Sequence, residues 1–159
     1  MAKTALHFRH NRRDVAVFVD GGANLLATLR DLIGDMTPKF GCGQGGCGAC
    51  TVLIDGDAHL ACLTLAESVQ GRSVATLDGL KDGAHLHPLQ QAFMDHFAAQ
   101  CGYCTPGMLM AAKALLDRNP SPSRDEVVSA ISGNICRCTG YEPIINAVLA
   151  AASGGRARA

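Results

Sequence analysis

The sequence Gly41-Cys42-Gly43-Gln44-Gly45-Gly46-Cys47-Gly48-Ala49-Cys50-Thr51 places three cysteines in a Cys-x4-Cys-x2-Cys loop padded with glycine, and Cys62 follows after eleven more residues. Four thiols can share an anionic centre only if the chain doubles back tightly and turns its amide N–H groups inward. Glycine serves both ends, because it takes positive φ and lets backbone approach closely. The same glycines spell Gly-x-Gly-x-x-Gly twice, from Gly41 to Gly46 and from Gly43 to Gly48. No buried strand precedes them in Met36 to Phe40 and no apolar helical pattern opens after them, so the context of a dinucleotide fingerprint is missing.

Upstream of the loop, Leu6 and Phe8 alternate with His7 and Arg9, and Val15, Val17 and Val19 alternate again, which predicts two strands joined by a turn at His10 to Arg13. Leu25, Leu26, Leu29, Leu32 and Ile33 then fall at helical spacing, with Asn24 as N-cap and Gly34 as C-cap. Downstream, strands are expected at Thr51 to Ile54, at Leu60 to Leu63 after an Asp55-Gly56 turn, and at Ser73 to Leu77. Strands around one helix make a small α+β domain, assigned to residues 1–80.

Past Asp82 the alternation stops and four helices are predicted for a second domain, residues 84–155, joined through the polar link Lys81-Asp82-Gly83. The first starts at Pro88 with Leu89, Phe93, His96 and Phe97 on one face. The second starts at Pro106 and ends before Asn119-Pro120. The third opens on the capping box Ser123-x-x-Glu126 and buries Val127, Val128 and Ile131. The fourth presents Ile144, Ile145, Val148 and Leu149, and the tail Ser153 to Ala159 is expected to fray. Met108 and Met110 read as core or interface filler.

The chain has 159 residues, 48% of them apolar, and fourteen basic residues balance fourteen acidic ones. No overall field favours nucleic acid, and the absence of Trp, with two Tyr and five Phe, leaves no stacking platform for single strands. No apolar run approaches the roughly 20 residues that cross a bilayer. Arg12-Arg13 is followed by too short an apolar stretch for an export signal and reads as a solvated turn. The expectation is a cytoplasmic protein without membrane or nucleic-acid partners, whose eight cysteines are metal ligands rather than disulfides.

The first four, Cys42, Cys47, Cys50 and Cys62, have the loop spacing of plant-type [2Fe-2S] ferredoxins. The second four are Cys101-x2-Cys104, thirty-one residues, then Cys136-x-Cys138. Each of those pairs precedes a predicted helix, and helix N-termini favour thiolates and anionic clusters. Two four-thiolate zinc sites are the rival reading, although such sites favour two short Cys-x-x-Cys knuckles each. The six histidines share no ligand spacing, and His96 reads as packing. Gln100 either donates to a neighbouring cofactor or ends its helix solvated, the residues alone favouring the second. Arg137 either tunes a cluster or faces solvent.

At Gly41 to Thr51, at Gln100-Cys101-Gly102-Tyr103-Cys104-Thr105-Pro106-Gly107-Met108 and at Gly133-Asn134-Ile135-Cys136-Arg137-Cys138-Thr139-Gly140-Tyr141, the chain resembles the small iron–sulfur subunit of the xanthine dehydrogenase family of molybdenum hydroxylases. The resemblance spans nearly the whole chain. It implies a β-grasp, plant-type ferredoxin-like domain followed by an all-α four-helix-bundle domain, each with one [2Fe-2S] cluster. It further implies that Cys42, Cys47, Cys50 and Cys62 hold the cluster near FAD, and that Cys101, Cys104, Cys136 and Cys138 hold the one near molybdopterin, expected as a dinucleotide. Gln100 and Cys138 would touch the pterin. The partners would be a large molybdopterin-binding subunit plus a medium FAD-binding subunit, in a heterotrimer or a dimer of heterotrimers. The chain would carry electrons from pterin to flavin without turnover of its own. A free-standing two-cluster ferredoxin and a zinc scaffold are the alternatives.

Overall fold

The computed structural model describes residues 3–154. Strands β1 (Lys3–His10) and β2 (Arg13–Asp20) pair antiparallel from Lys3↔Asp20 to His10↔Arg13. Their two-residue turn puts both Asn11 and Arg12 at positive φ, the conformation whose twist suits a tight hairpin. The Asn11 side chain then ties that turn to Thr76, donating to its hydroxyl and accepting from its N–H, each at 2.8 Å.

Asn24 caps the first helix as expected, its Oδ1 accepting from Ala27 N–H at 2.8 Å. The helix itself is less regular. An α-turn, α1 (Leu25–Ala27), widens into a π-turn at Thr28–Leu32. Thr28 is buried and its hydroxyl bonds the Asn24 carbonyl at 3.1 Å, while Ile33 N–H reaches back to the Thr28 carbonyl at 3.2 Å. The wider turn rotates Leu32 off the apolar face and leaves it 52% exposed.

Strands β3 (Thr51–Ile54), β4 (Asp57–Leu60) and β5 (Ser73–Ala75) complete a five-stranded sheet in the order β2-β1-β5-β3-β4, with β1 and β5 parallel and the other pairs antiparallel. β4 begins directly after the Asp55-Gly56 turn and ends where it was expected to start, because Ile54↔Asp57 pairing leaves no slack. Ala61 to Thr64, with Cys62, is a turn rather than a strand. β5 likewise stops at Ala75, and Leu77–Gly79 forms a 3-10 turn.

β3 is buried on every residue, unlike β1, where only Leu6 and Phe8 are covered. Val52 and Ile54 join Leu25, Leu29 and Val74 in the core under α1, whereas Leu53 meets Met110 and Ala114 on the opposite face. A strand covered on both faces loses the polar alternation of a half-exposed one.

Those covering residues belong to α3 (Thr105–Arg118), which with α2 (Pro88–Asp95), α4 (Arg124–Ile131) and α5 (Glu142–Gly154) surrounds a second core of Leu89, Phe93, Met108, Val127, Ile131, Ile144 and Val148. The capping box at Ser123 is formed, with the Ser123 hydroxyl accepting from Glu126 N–H and the Glu126 carboxylate accepting from Ser123 N–H. Three helical expectations are corrected. Val128 is on the outer side of α4, and Ser153 and Gly154 extend α5. α2 ends at Asp95, where the chain reverses through Phe97 at φ 52; Phe97 and His96 are exposed and Ala98 takes the buried place. The remainder of the tail, 155–159, and the outer ends of the two expected domains, 1–2 and 155, lie outside the described residues. The link 81–84 is exposed, and no described helix is long and apolar enough to cross a membrane.

Candidate metal centres

All eight cysteines are free thiols, and the fold gathers them into two groups. In the first, the loop 41–50 wraps around Cys42, whose Sγ accepts from Gly46 N–H at 3.2 Å and Gln44 N–H at 3.4 Å. Gly41 is required by packing, since a Cβ there would stand 2.7 Å from Cys47 Sγ. Cys47 hydrogen-bonds Cys42, and the Cys62 main chain and thiol both reach Cys50, so the four sulfurs stand as the pairs 42/47 and 50/62.

In the second group, Cys101 and Cys138 face each other at 3.6 Å between sulfurs, and Cys104, the N-cap of α3, hydrogen-bonds Cys136. The Thr139 hydroxyl lies 3.1 Å from Cys136 Sγ, and the Tyr141 hydroxyl accepts from Cys136 N–H at 2.9 Å. The pairs here are 101/138 and 104/136, the second nested inside the first in sequence.

Electrostatics differ from thiol to thiol. The Gln44 and Gly46 amides and Cys47 hold the metal-free Cys42 thiol down to about 7. Burial pushes Cys50 up to about 11 and Cys104 up to about 12, each also raised by its neighbouring thiol. Burial works against ionisation of Cys136 too, but donors from Thr139 and the Cys138 amide outweigh it and its thiol lies below the usual value. Cys138 is raised, chiefly by its contact with Cys101.

Two further observations bear on what these groups hold. Among the described residues, no three His, Cys, Asp or Glu side chains close on a single ion position. The sulfurs instead form two pairs per group, and a two-iron cluster takes two thiolates on each iron. Beside Cys104, the Thr105 hydroxyl is buried without a hydrogen-bond partner among the described residues, so its donor is available to a cluster sulfur. Both sets therefore fit a [2Fe-2S] cluster. Gln100 and Arg137 are exposed, next to Cys101 and between Cys136 and Cys138 respectively. Of the two readings of Arg137, the solvent-facing one holds for this chain by itself.

The two groups are also joined to one another, which the spacing did not reveal. Ile135 N–H donates to the Cys47 carbonyl at 2.9 Å, and buried Asn134 donates through Nδ2 to the Gly48 carbonyl at 2.9 Å. Asn134 had no assigned role. Its only trace in sequence is the pair Gly48 and Gly107: a Cβ on Gly48 would sit 2.6 Å from Asn134 Nδ2, and one on Gly107 2.2 Å from the Gly48 carbonyl oxygen. The histidines contribute nothing to either group; His10 instead meets Asp35 at 2.9 Å.

Comparison with known proteins agrees with this geometry. A family model described as a 2Fe-2S iron-sulfur cluster binding domain matches residues 8–70, and one described as a [2Fe-2S] binding domain matches residues 76–149. The nicotine 6-hydroxylase small subunit of Paenarthrobacter nicotinovorans is 52% identical over 139 residues, 87% of this chain and 84% of that one. The nicotinate dehydrogenase small FeS subunit of Eubacterium barkeri is 43% identical over 148 residues, 93% of this chain and 94% of that one. The crystal structure of quinoline 2-oxidoreductase from Pseudomonas putida 86 contains a chain that superposes with a TM-score of 0.93 at 44% identity, covering 98% of each chain.

Proposed function

Since the chain belongs to the family of small [2Fe-2S] subunits of the molybdenum hydroxylases, we propose that its two groups of cysteines are the consecutive stations of an electron path between partner subunits. Cys42, Cys47, Cys50 and Cys62 hold the cluster facing FAD, and Cys101, Cys104, Cys136 and Cys138 the one facing molybdopterin. The observation that carries this is the pairing of thiols, 42/47, 50/62, 101/138 and 104/136, which supplies two sulfurs to each of four irons. Bound there, a [2Fe-2S] cluster accepts and releases one electron at a time.

The residues around each group do the rest. Amides of Gln44 and Gly46 aim at Cys42, Thr139 aims at Cys136, and burial of Cys50, Cys62 and Cys136 keeps water from the inner sulfurs. Cys101 and Cys138 are exposed, as a station that must meet a partner requires, and Gln100 beside them contacts the pterin. Residues 1–80 act as the β-grasp domain and 84–155 as a four-helix bundle with its own cluster. The chain works in the cytoplasm within a heterotrimer, or a dimer of heterotrimers, with a large molybdopterin subunit plus a medium FAD subunit.

Iron and acid-labile sulfide analysis of the purified complex tests this. About four irons with matching sulfide per chain is expected; zinc without sulfide overturns it. In the same complex, Cys104→Ser should stop flavin reduction by substrate and leave the signal of the Cys42 cluster largely intact. Loss of both signals together would contradict two independent domains. Nicotinate, nicotine and quinoline are the first substrates to supply, because this chain covers 84%, 94% and 98% of the chains named for nicotine, nicotinate and quinoline.

A further inference from the structure

We propose that Asn134 is a positioning residue for electron passage between the two cysteine groups, holding a hydrogen-bonded bridge that runs from Cys47 through its own carbonyl to the Ile135 amide and on to Cys136. The proposal rests on the reading of both groups as [2Fe-2S] sites.

The bridge is short and continuous. Cys47 is in the first group and its carbonyl accepts from Ile135 N–H at 2.9 Å; Ile135 is bonded directly to Cys136 of the second group. From sulfur to sulfur the path is side chain, carbonyl, one hydrogen bond, one residue of main chain and side chain. Tunnelling decays less steeply along covalent and hydrogen bonds than across a gap, so this contact outweighs any jump through the packed side chains around it. The transfer is one electron: the site on Cys136 is oxidised by one, the site on Cys47 is reduced by one, and no bond breaks and no proton moves. In the proposed complex, a molybdopterin centre in the large subunit would supply the electron and a flavin in the medium subunit would remove it.

A single exposed amide bond would not hold such a contact, because Ile135 is 57% exposed and its side chain packs on little. Asn134 supplies what is missing. It is 5% exposed, its amide reaches the Gly48 carbonyl at 2.9 Å and the Thr51 hydroxyl at 3.3 Å, and its own N–H is fixed to Ile131 of α4 at 2.9 Å. The Gly48 carbonyl is held a second time by Thr51, through its hydroxyl at 2.7 Å and its N–H at 3.1 Å. Residues 134 and 135 thus grip residues 48 and 47 in turn, and Gly107 closes over the grip at a distance no side chain would permit. Freeing the Asn134 amide lets the Cys47–Ile135 bond lengthen while every cysteine keeps its place.

The test uses the complete complex carrying Asn134→Ala or Thr51→Val, reduced chemically with dithionite and separately with substrate. Iron, sulfide and the midpoint potentials of both clusters are expected to match the wild type. The exchange part of the spin–spin splitting between the two reduced clusters should fall in Asn134→Ala and weaken in Thr51→Val, the dipolar part being unchanged. After mixing with substrate, the Cys42 cluster signal should rise several-fold more slowly in Asn134→Ala, with the Cys104 cluster reduced as fast as before. A purely structural role would lower thermal stability without touching splitting or inter-cluster rate, and that result overturns the proposal. If Asn134→Ala assembles without clusters, Thr51→Val decides: unchanged splitting and rate overturn the proposal, and reduction of both supports it. Absence of iron and sulfide from the wild type would instead remove the iron–sulfur reading on which it rests.

Discussion

The Tyr103 hydroxyl donates to the Phe40 main-chain carbonyl at 2.6 Å, which ties the turn between Cys101 and Cys104 to the chain just ahead of Cys42. Together with Asn134, whose amide donates to the Gly48 carbonyl, it links the cysteine groups through side chains. The two differ in burial, Tyr103 being half exposed and Asn134 covered. A partly solvated hydrogen bond exchanges one partner for water at little net loss. Tyr103→Phe should therefore lower the unfolding free energy by only roughly 0.5–1.5 kcal/mol, seen as a lower denaturant midpoint, with iron content and both cluster signals retained. Loss of a cluster would show that this link orients ligands as well.

Thr105 presents the opposite case, a hydroxyl buried beside Cys104 with no hydrogen-bond partner among the described residues. A hydrogen bond to a cluster sulfur favours the more negative, reduced state and raises the potential. Thr105→Val keeps the shape and removes the donor, so the potential of the Cys104 cluster should fall by roughly 40 mV, the one-electron equivalent of a hydrogen bond worth about 1 kcal/mol. Redox titration followed by electron paramagnetic resonance reads both clusters at once. The Cys42 cluster should not shift, and equal shifts in the two would locate the effect in the fold rather than in this hydroxyl.

Much of this layout is legible in the sequence because local rules and tertiary packing agree. Asn24, Ser123, Pro88 and the positive-φ pair at the β1–β2 turn mark ends of elements by chemistry that acts within a few residues. Legibility fails where a long-range partner or a locally altered period intervenes. Leu32 fits a helical stripe, but the π-turn begun at buried Thr28 changes the period beneath it. Phe97 fits the stripe of α2, yet the chain must turn at that point to bring Cys101 toward Cys138. The cysteines are recognisable because their spacing carries their chemistry, whereas Asn134 acts on Gly48, eighty-six residues away, and nothing adjacent to it announces that.

Asp35 makes the stability of the ferredoxin-like half depend on pH. Burial alone would raise its carboxyl, but hydrogen bonds from His10 at 2.9 Å, the Thr76 hydroxyl at 2.6 Å and both the hydroxyl and N–H of Thr37 outweigh burial and hold it well below its ordinary value of 3.8. A carboxyl with a lowered folded pKa contributes stability that is complete above its unfolded value and disappears as pH falls through the folded one. The contribution of Asp35 should thus be constant with pH near neutrality, and thermal stability should fall below about pH 4 as its carboxyl begins to bind a proton on unfolding. Asp35→Asn should cost roughly 1–3 kcal/mol at pH 7 by unsettling His10 and Thr76, and should flatten the acid limb. An unchanged acid limb in that variant would assign the loss to other carboxylates.

The thiols themselves predict the order in which a chain losing its metal reacts. Thiolate is the nucleophile, so reactivity follows the fraction ionised and the access of the reagent. At pH 8 Cys42, held down to about 7 by the Gln44 and Gly46 amides and by Cys47, is mostly ionised on an open loop. Cys50 and Cys104, pushed up to about 11 and about 12 by burial, are almost wholly protonated at that pH. During slow chelation of iron with iodoacetamide present, peptide mass spectrometry should find Cys42 modified first and Cys50 and Cys104 last. The same ordering makes reloading pH-dependent, because seating a metal on Cys50 or Cys104 must expel a proton that Cys42 has already given up. Raising the pH from 7 to 9 should speed cluster reconstitution, while Cys42→Ser should leave that acceleration in place at the Cys104 site. Modification of Cys104 ahead of Cys42 would mean that the helical group opens before the loop does.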